Sequence, residues 1–217
     1  MTAQTKRLLL AALLVAVIAA ACAWIYFAEI RTAQHNVALH QHIGRVLAER
    51  TSALVGKQGR IVTIAIETRE WPELKTQRDA FKAELKKLGE YEVREYEMDT
   101  KDQPKYGVGS GLSGRRYVRT VKKNPNASAF VSFVGAPKLG REEIAELGDK
   151  PPLLIVECRS TDNLPALFEK KLIAAAVVSR FQFPAPGPEN PRTPEGWFTK
   201  RYQVVVAQGV ANLPKAE

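Results

Sequence analysis

The sequence predicts an α/β fold: one three-layer domain around a mainly parallel sheet of five or six strands, preceded by an N-terminal helical segment. Two observations carry this expectation. Past Gly56 and Gly59, short β-branched runs alternate with longer amphipathic stretches, the pattern of repeated βα units. Ahead of them lie an uncharged apolar run and a Pro-free helical stretch, which leave the remaining residues numerous enough for one ordinary core.

The first element is LLLAALLVAVIAAACAWIYFA, Leu8 to Ala28. At ~1.5 Å per residue it spans roughly 30 Å, and residues 8–28 are expected to form a transmembrane anchor. Lys6 and Arg7 precede it, whereas Glu29 opposes Arg31 beyond it, so the positive-inside bias places residues 1–7 in the cytoplasm and the rest in the periplasm. A lipobox reading at Cys22 and a cleaved signal are the alternatives. Residues 29–55 contain no Pro and repeat Ile30, Ala33, Val37, Ile43, Val46, Leu47 and Leu54 at helical steps, which predicts a helical stalk. Its apolar stripe has two possible partners, its own domain or a second copy in a homodimer.

Residues 56–217 then supply the extracytoplasmic domain. Arg60 to Ile66 reads as the first strand and Glu70 to Leu88 as a helix with Pro72 in its first turn. Tyr91 to Met98 alternates as a second strand, Arg115 to Lys123 forms a basic helix, and Ala129 to Val134 a third strand. Arg141 to Leu147 is helical, Leu153 to Cys158 a fourth strand, Leu164 to Leu172 a helix and Ala174 to Phe181 a fifth strand. The prolines between residues 184 and 194 impose a loop before a last strand, Arg201 to Ala207.

The net charge of +9 falls almost wholly outside the first seven residues, so the expected partners are the membrane, another envelope protein or an anionic ligand. Nucleic acid is disfavoured by the inferred location. Open parallel sheets bind ligands beyond the carboxyl ends of their strands. Those ends offer Glu67, Arg69, Trp71, Asp99, Cys158, Arg159 and Arg180. Trp71 suits stacking on a flat or sugar-like group, and the arginines suit anions. A second candidate is the loop of Gly109, Gly111 and Gly114, which formally matches G-x-G-x-x-G and opens a helix at Arg115 and Arg116. The motif follows the second strand after a long loop, and no acid stands at the distance a dinucleotide site requires, so only a plain anion site survives.

No cofactor and no metal site is expected. His35, His40 and His42 do not give the i, i+4 pair of a helical zinc site, and no histidine follows His42. A cysteine–histidine nucleophile at Cys158 would need the stalk to fold back. Glu67 and Asp99 could serve as acid and base across adjacent strands, but no motif supports them as catalytic groups.

The segments IVTIAIE, KTQRDAFKAELKKLG and YEVREYEMD, in that order, resemble the first lobe of periplasmic sugar-type binding proteins of ABC transporters, over roughly Arg60 to Phe181. The rhythm is shared with flavodoxin-like domains. The resemblance implies a lobe whose strand ends face a ligand, although the chain is too short for the two lobes that family members close over theirs. The leading expectation is a noncatalytic partner-binding or scaffold module. The alternatives are a sugar-like or anionic ligand-binding or sensory protein, and a carboxylate-dependent hydrolase or transferase.

Overall fold

The computed structural model describes residues 3–25, 36–66, 71–98, 111–180 and 191–213, and divides into two compact units, Met1–Asn36 and Val37–Glu217. The first contains helix α1, Ala3–Ile25, rich in the strong helix formers Ala and Leu. Here the expected anchor is corrected: among the described residues no helix is long and apolar enough to cross a membrane. The single-pass topology and the placement derived from it fall with the anchor, and the membrane is left without support as an expected partner. Cys22 and Cys158 are both free thiols.

The second unit begins with α2, Val37–Val55, the helical part of the expected stalk. It does not stand away from the domain. Leu39, Ile43, Val46, Leu47 and Ala48 are buried, each larger side chain contributing about 1.5–3 kcal/mol of apolar burial. Gly44 allows this approach, since a β-carbon there would lie 2.2 Å from the main-chain oxygen of Gln77. Of the two partners open to the stripe, its own domain is the one it packs on.

The sheet has six strands in the order β2-β1-β4-β6-β7-β8. They are β1 Gln58–Ile66, β2 Glu90–Met98, β4 Ala129–Ser132, β6 Leu153–Cys158, β7 Ala175–Ser179 and β8 Tyr202–Val205. All pair in parallel except β8, which runs antiparallel to β7 at the edge. A separate parallel pair of two residues each, β3 Leu112–Ser113 and β5 Pro137–Lys138, has no periodic signal in the sequence.

Helix α2 lies with α3, Pro72–Leu88, on one face of the sheet, where Phe81 meets Phe133 edge-on at 5.6 Å. Helix α4, Gly114–Lys123, covers the other face through Tyr117 against Phe130 at 5.9 Å. Helices α5, Arg141–Leu147, and α6, Leu164–Glu169, complete the crossovers. Helix α7, Pro194–Arg201, stands where the sequence reading continues from loop directly into strand. Thr193 caps it by accepting from the Gly196 amide at 3.1 Å, Pro194 sets its first turn, and Phe198 meets His42 of α2 at 5.1 Å.

Candidate functional site

The carboxyl ends of β4 and β6 open onto two cavities, built first by backbone geometry. After β4 the chain turns sharply: Ser132 Oγ donates to Gly135 O at 2.7 Å and accepts from Val134 N at 3.3 Å. Gly135 adopts φ +99°, and Gly111 adopts φ +83° beside it. A β-carbon on Gly111 would approach Ala136 O to 2.7 Å, so these positions require glycine twice over, for conformation and for space. The β3–β5 pair holds the two turns together, with Leu112 N donating to Ala136 O at 3.2 Å.

The first cavity, about 190 Å³, is floored by Gly111, Gly135, Ala136 and Cys158 and walled by Lys138, Ser160, Asp162, Asn163 and Leu164. A shallower depression of about 340 Å³ between α5 and α6 continues from it past Lys138 and Asn163. The polar wall mixes donors (Lys138, Ser160, Asn163) with acceptors (Asp162, Ser160, Asn163), which matches hydroxyl groups that both donate and accept.

The second cavity is a slot of about 10 Å³ on the α2 face. His40 of α2, Glu73 and Gln77 of α3, Glu157 and Arg159 at the end of β6, and Tyr202 of β8 line it, and it shares Gly135 and Cys158 with the first. Gln77 is 1 % exposed; its Nε2 donates to His40 Nδ1 at 3.0 Å, while its Oε1 is buried without a partner among the described residues. Glu157 is 5 % exposed, and among the described residues no ion pair reaches it. Burial pushes its carboxyl up to about 7, the charge of Arg159 opposing and that of Glu73 reinforcing the shift. Burial pushes the Tyr202 phenol up to about 12, with Glu157 adding to it.

The sequence-derived residues divide accordingly. Cys158 and Gly111 line the first cavity, and Cys158 and Arg159 the second. Trp71 caps the start of α3 half-buried against the core, its indole Nε1 buried without a partner, and lines neither cavity. Arg180 closes the β7–β8 end, its Nε donating to Tyr202 O at 3.2 Å. Gly114 sits tightly under Lys138 O, and the exposed Arg115 faces Glu143 at 4.0 Å. Arg116 lies in the first turn of α4, its carbonyl accepting from Thr120 Oγ1 at 2.9 Å. Glu67, Arg69, Asp99 and Gly109 lie outside the described residues.

The expectation that the histidines lie off the domain is overturned by the docking of α2, which brings His40 to the same slot as Cys158. Burial, and then Glu157, still pushes the Cys158 thiol well above its ordinary range, so little reactive thiolate forms. Among the described residues no group of His, Cys, Asp or Glu is placed to hold a metal ion.

Sequence reasoning passed over Glu157 and Gln77, and weighed His40 only as a metal ligand. The signals were present: Glu157 is the lone charge in LLIVEC, and Gln77 falls on the apolar stripe of Leu74, Phe81 and Leu85.

The strand order and crossovers give a fold similar to one lobe of solved periplasmic-type solute-binding proteins. An ABC transporter solute-binding protein from Burkholderia graminis in complex with D-arabinose is similar with a TM-score of 0.55 and 16% identity, over 81% of this chain and 62% of that one. AraP, an arabinose-binding protein from Geobacillus stearothermophilus, gives 0.55 and 13% identity, over 81% of this chain and 63% of that chain. A solute-binding protein from Agrobacterium vitis bound with α-D-tagatopyranose gives 0.52 and 11% identity, over 82% of this chain and 61% of that one. The chain therefore spans under two thirds of the length of each. No family model and no curated protein matches the sequence.

Proposed function

We propose that the domain binds a small polyhydroxy, sugar-like ligand in the cavity at the carboxyl ends of β4 and β6. One observation carries the reading: in a fold shared with sugar-binding proteins, the strand-end position holds a recess floored by two closely packed glycines and walled by Lys138, Ser160, Asp162 and Asn163. Open α/β sheets place ligands at this edge. The volume of about 190 Å³ is below the roughly 300 Å³ of a pocket that encloses a drug-sized molecule, which fits a monosaccharide-sized ligand or one wall of a two-walled cleft. This reading takes the place of the scaffold module favoured from sequence, because the fold likeness and the recess both support ligand binding.

Isothermal titration of the full chain with D-arabinose, D-xylose and D-tagatose tests it. Saturable binding to at least one sugar, weakened tenfold or more by Asp162→Ala, is the expected result. Heats of dilution alone for every sugar would remove the proposal.

A further inference from the structure

The slot beside the ligand cavity contains a mismatch that a single proton resolves. Gln77 commits its amide nitrogen to His40 Nδ1 and leaves Oε1 as a buried acceptor with no donor. Glu157 shares that slot, so nearly buried that a charged carboxylate is poorly solvated. Ionised, Glu157 adds a further acceptor to the slot that Gln77 lines; protonated, it brings a donor into that slot, where Gln77 Oε1 lacks one among the described residues. The other groups facing the carboxyl are Glu73 of α3, Arg159 and Cys158 at the end of β6, and Tyr202 of β8. Glu73 opposes ionisation and Arg159 favours it.

We propose that Glu157 is a proton switch for the ligand cavity: its protonated carboxyl donates to Gln77 Oε1 and, through His40, holds α2 on the sheet and Gly135 in the shape that forms the cavity wall. Gly135 and Cys158 belong to both cavities, so the arrangement that satisfies Gln77 is also the one in which the ligand cavity is formed. Loss of the proton leaves a buried, poorly solvated charge under α2 that Arg159 offsets only in part, and water entering to solvate it loosens the helix and the shared wall. Ligand and proton therefore favour the same state. Burial pushes the carboxyl up to about 7, which sets the switch near neutral pH. The α2 part of this inference stands independently of the ligand; the affinity part rests on the binding role proposed above.

Two arms of one experiment separate them. In the unliganded full chain, carbon-13 NMR follows the Glu157 carboxyl, and hydrogen exchange follows residues 39–48 of α2, expressed as protection factors at pH 6 and 8. Titration of Glu157 near neutrality and a loss of α2 protection at pH 8 are expected. Glu157→Gln, whose amide can supply the donor at any pH, should flatten the pH response. A Glu157 carboxyl that titrates in the ordinary carboxylate range, or α2 protection that is the same at both pH values, would overturn the switch whether or not the variant folds. In the second arm, D-arabinose affinity should fall about tenfold from pH 6 to pH 8, the ratio expected when only the protonated fraction is competent to bind. Equal affinities would overturn the ligand linkage. If the sugar binds at neither pH while the first arm succeeds, the binding proposal fails and the switch stands.

Discussion

Two groups of glutamates on the same sheet have opposite electrostatic fates. On the edge strand β2, Glu92 is held by Arg60 at 2.7 Å and Arg94 at 2.8 Å, Glu95 by Lys82 at 2.8 Å and by Arg78, and Glu97 by Arg78 at 2.8 Å. The Glu92 carboxyl lies below its ordinary range mainly through Arg60, and that of Glu95 mainly through Lys82. Their charges also line an edge strand, where they discourage pairing with another chain. Near the sheet centre on β6, Glu157 is buried with no ion pair among the described residues, and its carboxyl is driven the other way. Paired acids on the rim support the fold, whereas a solitary acid in the core costs stability whenever it is charged. A cost retained at the strand ends points to use.

The strongest way to break the contrast is to move α2. Gly44→Val places branched atoms against the Gln77 main chain, where even a β-carbon would lie at 2.2 Å. Overpacking of this kind should cost about 3 kcal/mol, read by urea unfolding, and should return Glu157 toward ordinary titration as water enters the slot. Next, Glu157→Gln should stabilise the domain at pH 8 and have little effect at pH 4. The folded-state value near 7 stands above the ordinary 4.5, so the wild-type contribution is full below about pH 4.5 and is lost as pH rises through about 7. The difference at pH 8 is roughly 3 kcal/mol, measured by denaturant unfolding across that window.

Smaller effects belong to the rim. Arg78→Met removes a largely buried guanidinium from Glu95 and Glu97, which are themselves partly exposed. About 1 kcal/mol should be lost after discounting for solvent, and less at high salt. Lys82→Ala should cost under about 0.5 kcal/mol, but carbon-13 titration should show the Glu95 carboxyl rising toward 4.5. The lowered Glu95 carboxyl contributes stability above its ordinary value, lost as pH falls through the folded one. The variant should therefore be slightly less sensitive to acid than the wild type.

Local periodicity made much of the fold legible. The run LLIVEC is the strand Leu153–Cys158 as read, and REEIAEL is the helix Arg141–Leu147. Helix α7 was hidden because the prolines from 184 to 194 dominate the reading, although Thr193, Pro194 and Glu195 form an N-terminal signature. The β3–β5 pair is too short for any period to register. The amphipathic stripe of α2 was visible, but a stripe does not name its partner; the close fit at Gly44 does.

The site was legible only at its edges. Cys158 and Arg159, expected at the strand ends, and Gly111, expected in the glycine loop, line the two cavities. Glu157 and Gln77 were passed over, because an acid inside an apolar run reads as strand and a polar residue on a helix reads as solvent-facing. What gives them meaning is a meeting across the chain of His40, Gln77 and Glu157, and sequence spacing does not encode that.

The most direct test of the ligand-binding account is backbone NMR of the full chain titrated with D-arabinose, D-xylose and D-tagatose in turn. The account predicts saturable shifts concentrated at Gly111, Gly135, Ser160, Asp162 and Asn163, with weaker ones at Gln77 and His40. Spectra unchanged by every sugar, or shifts confined to the β2 rim, would contradict it.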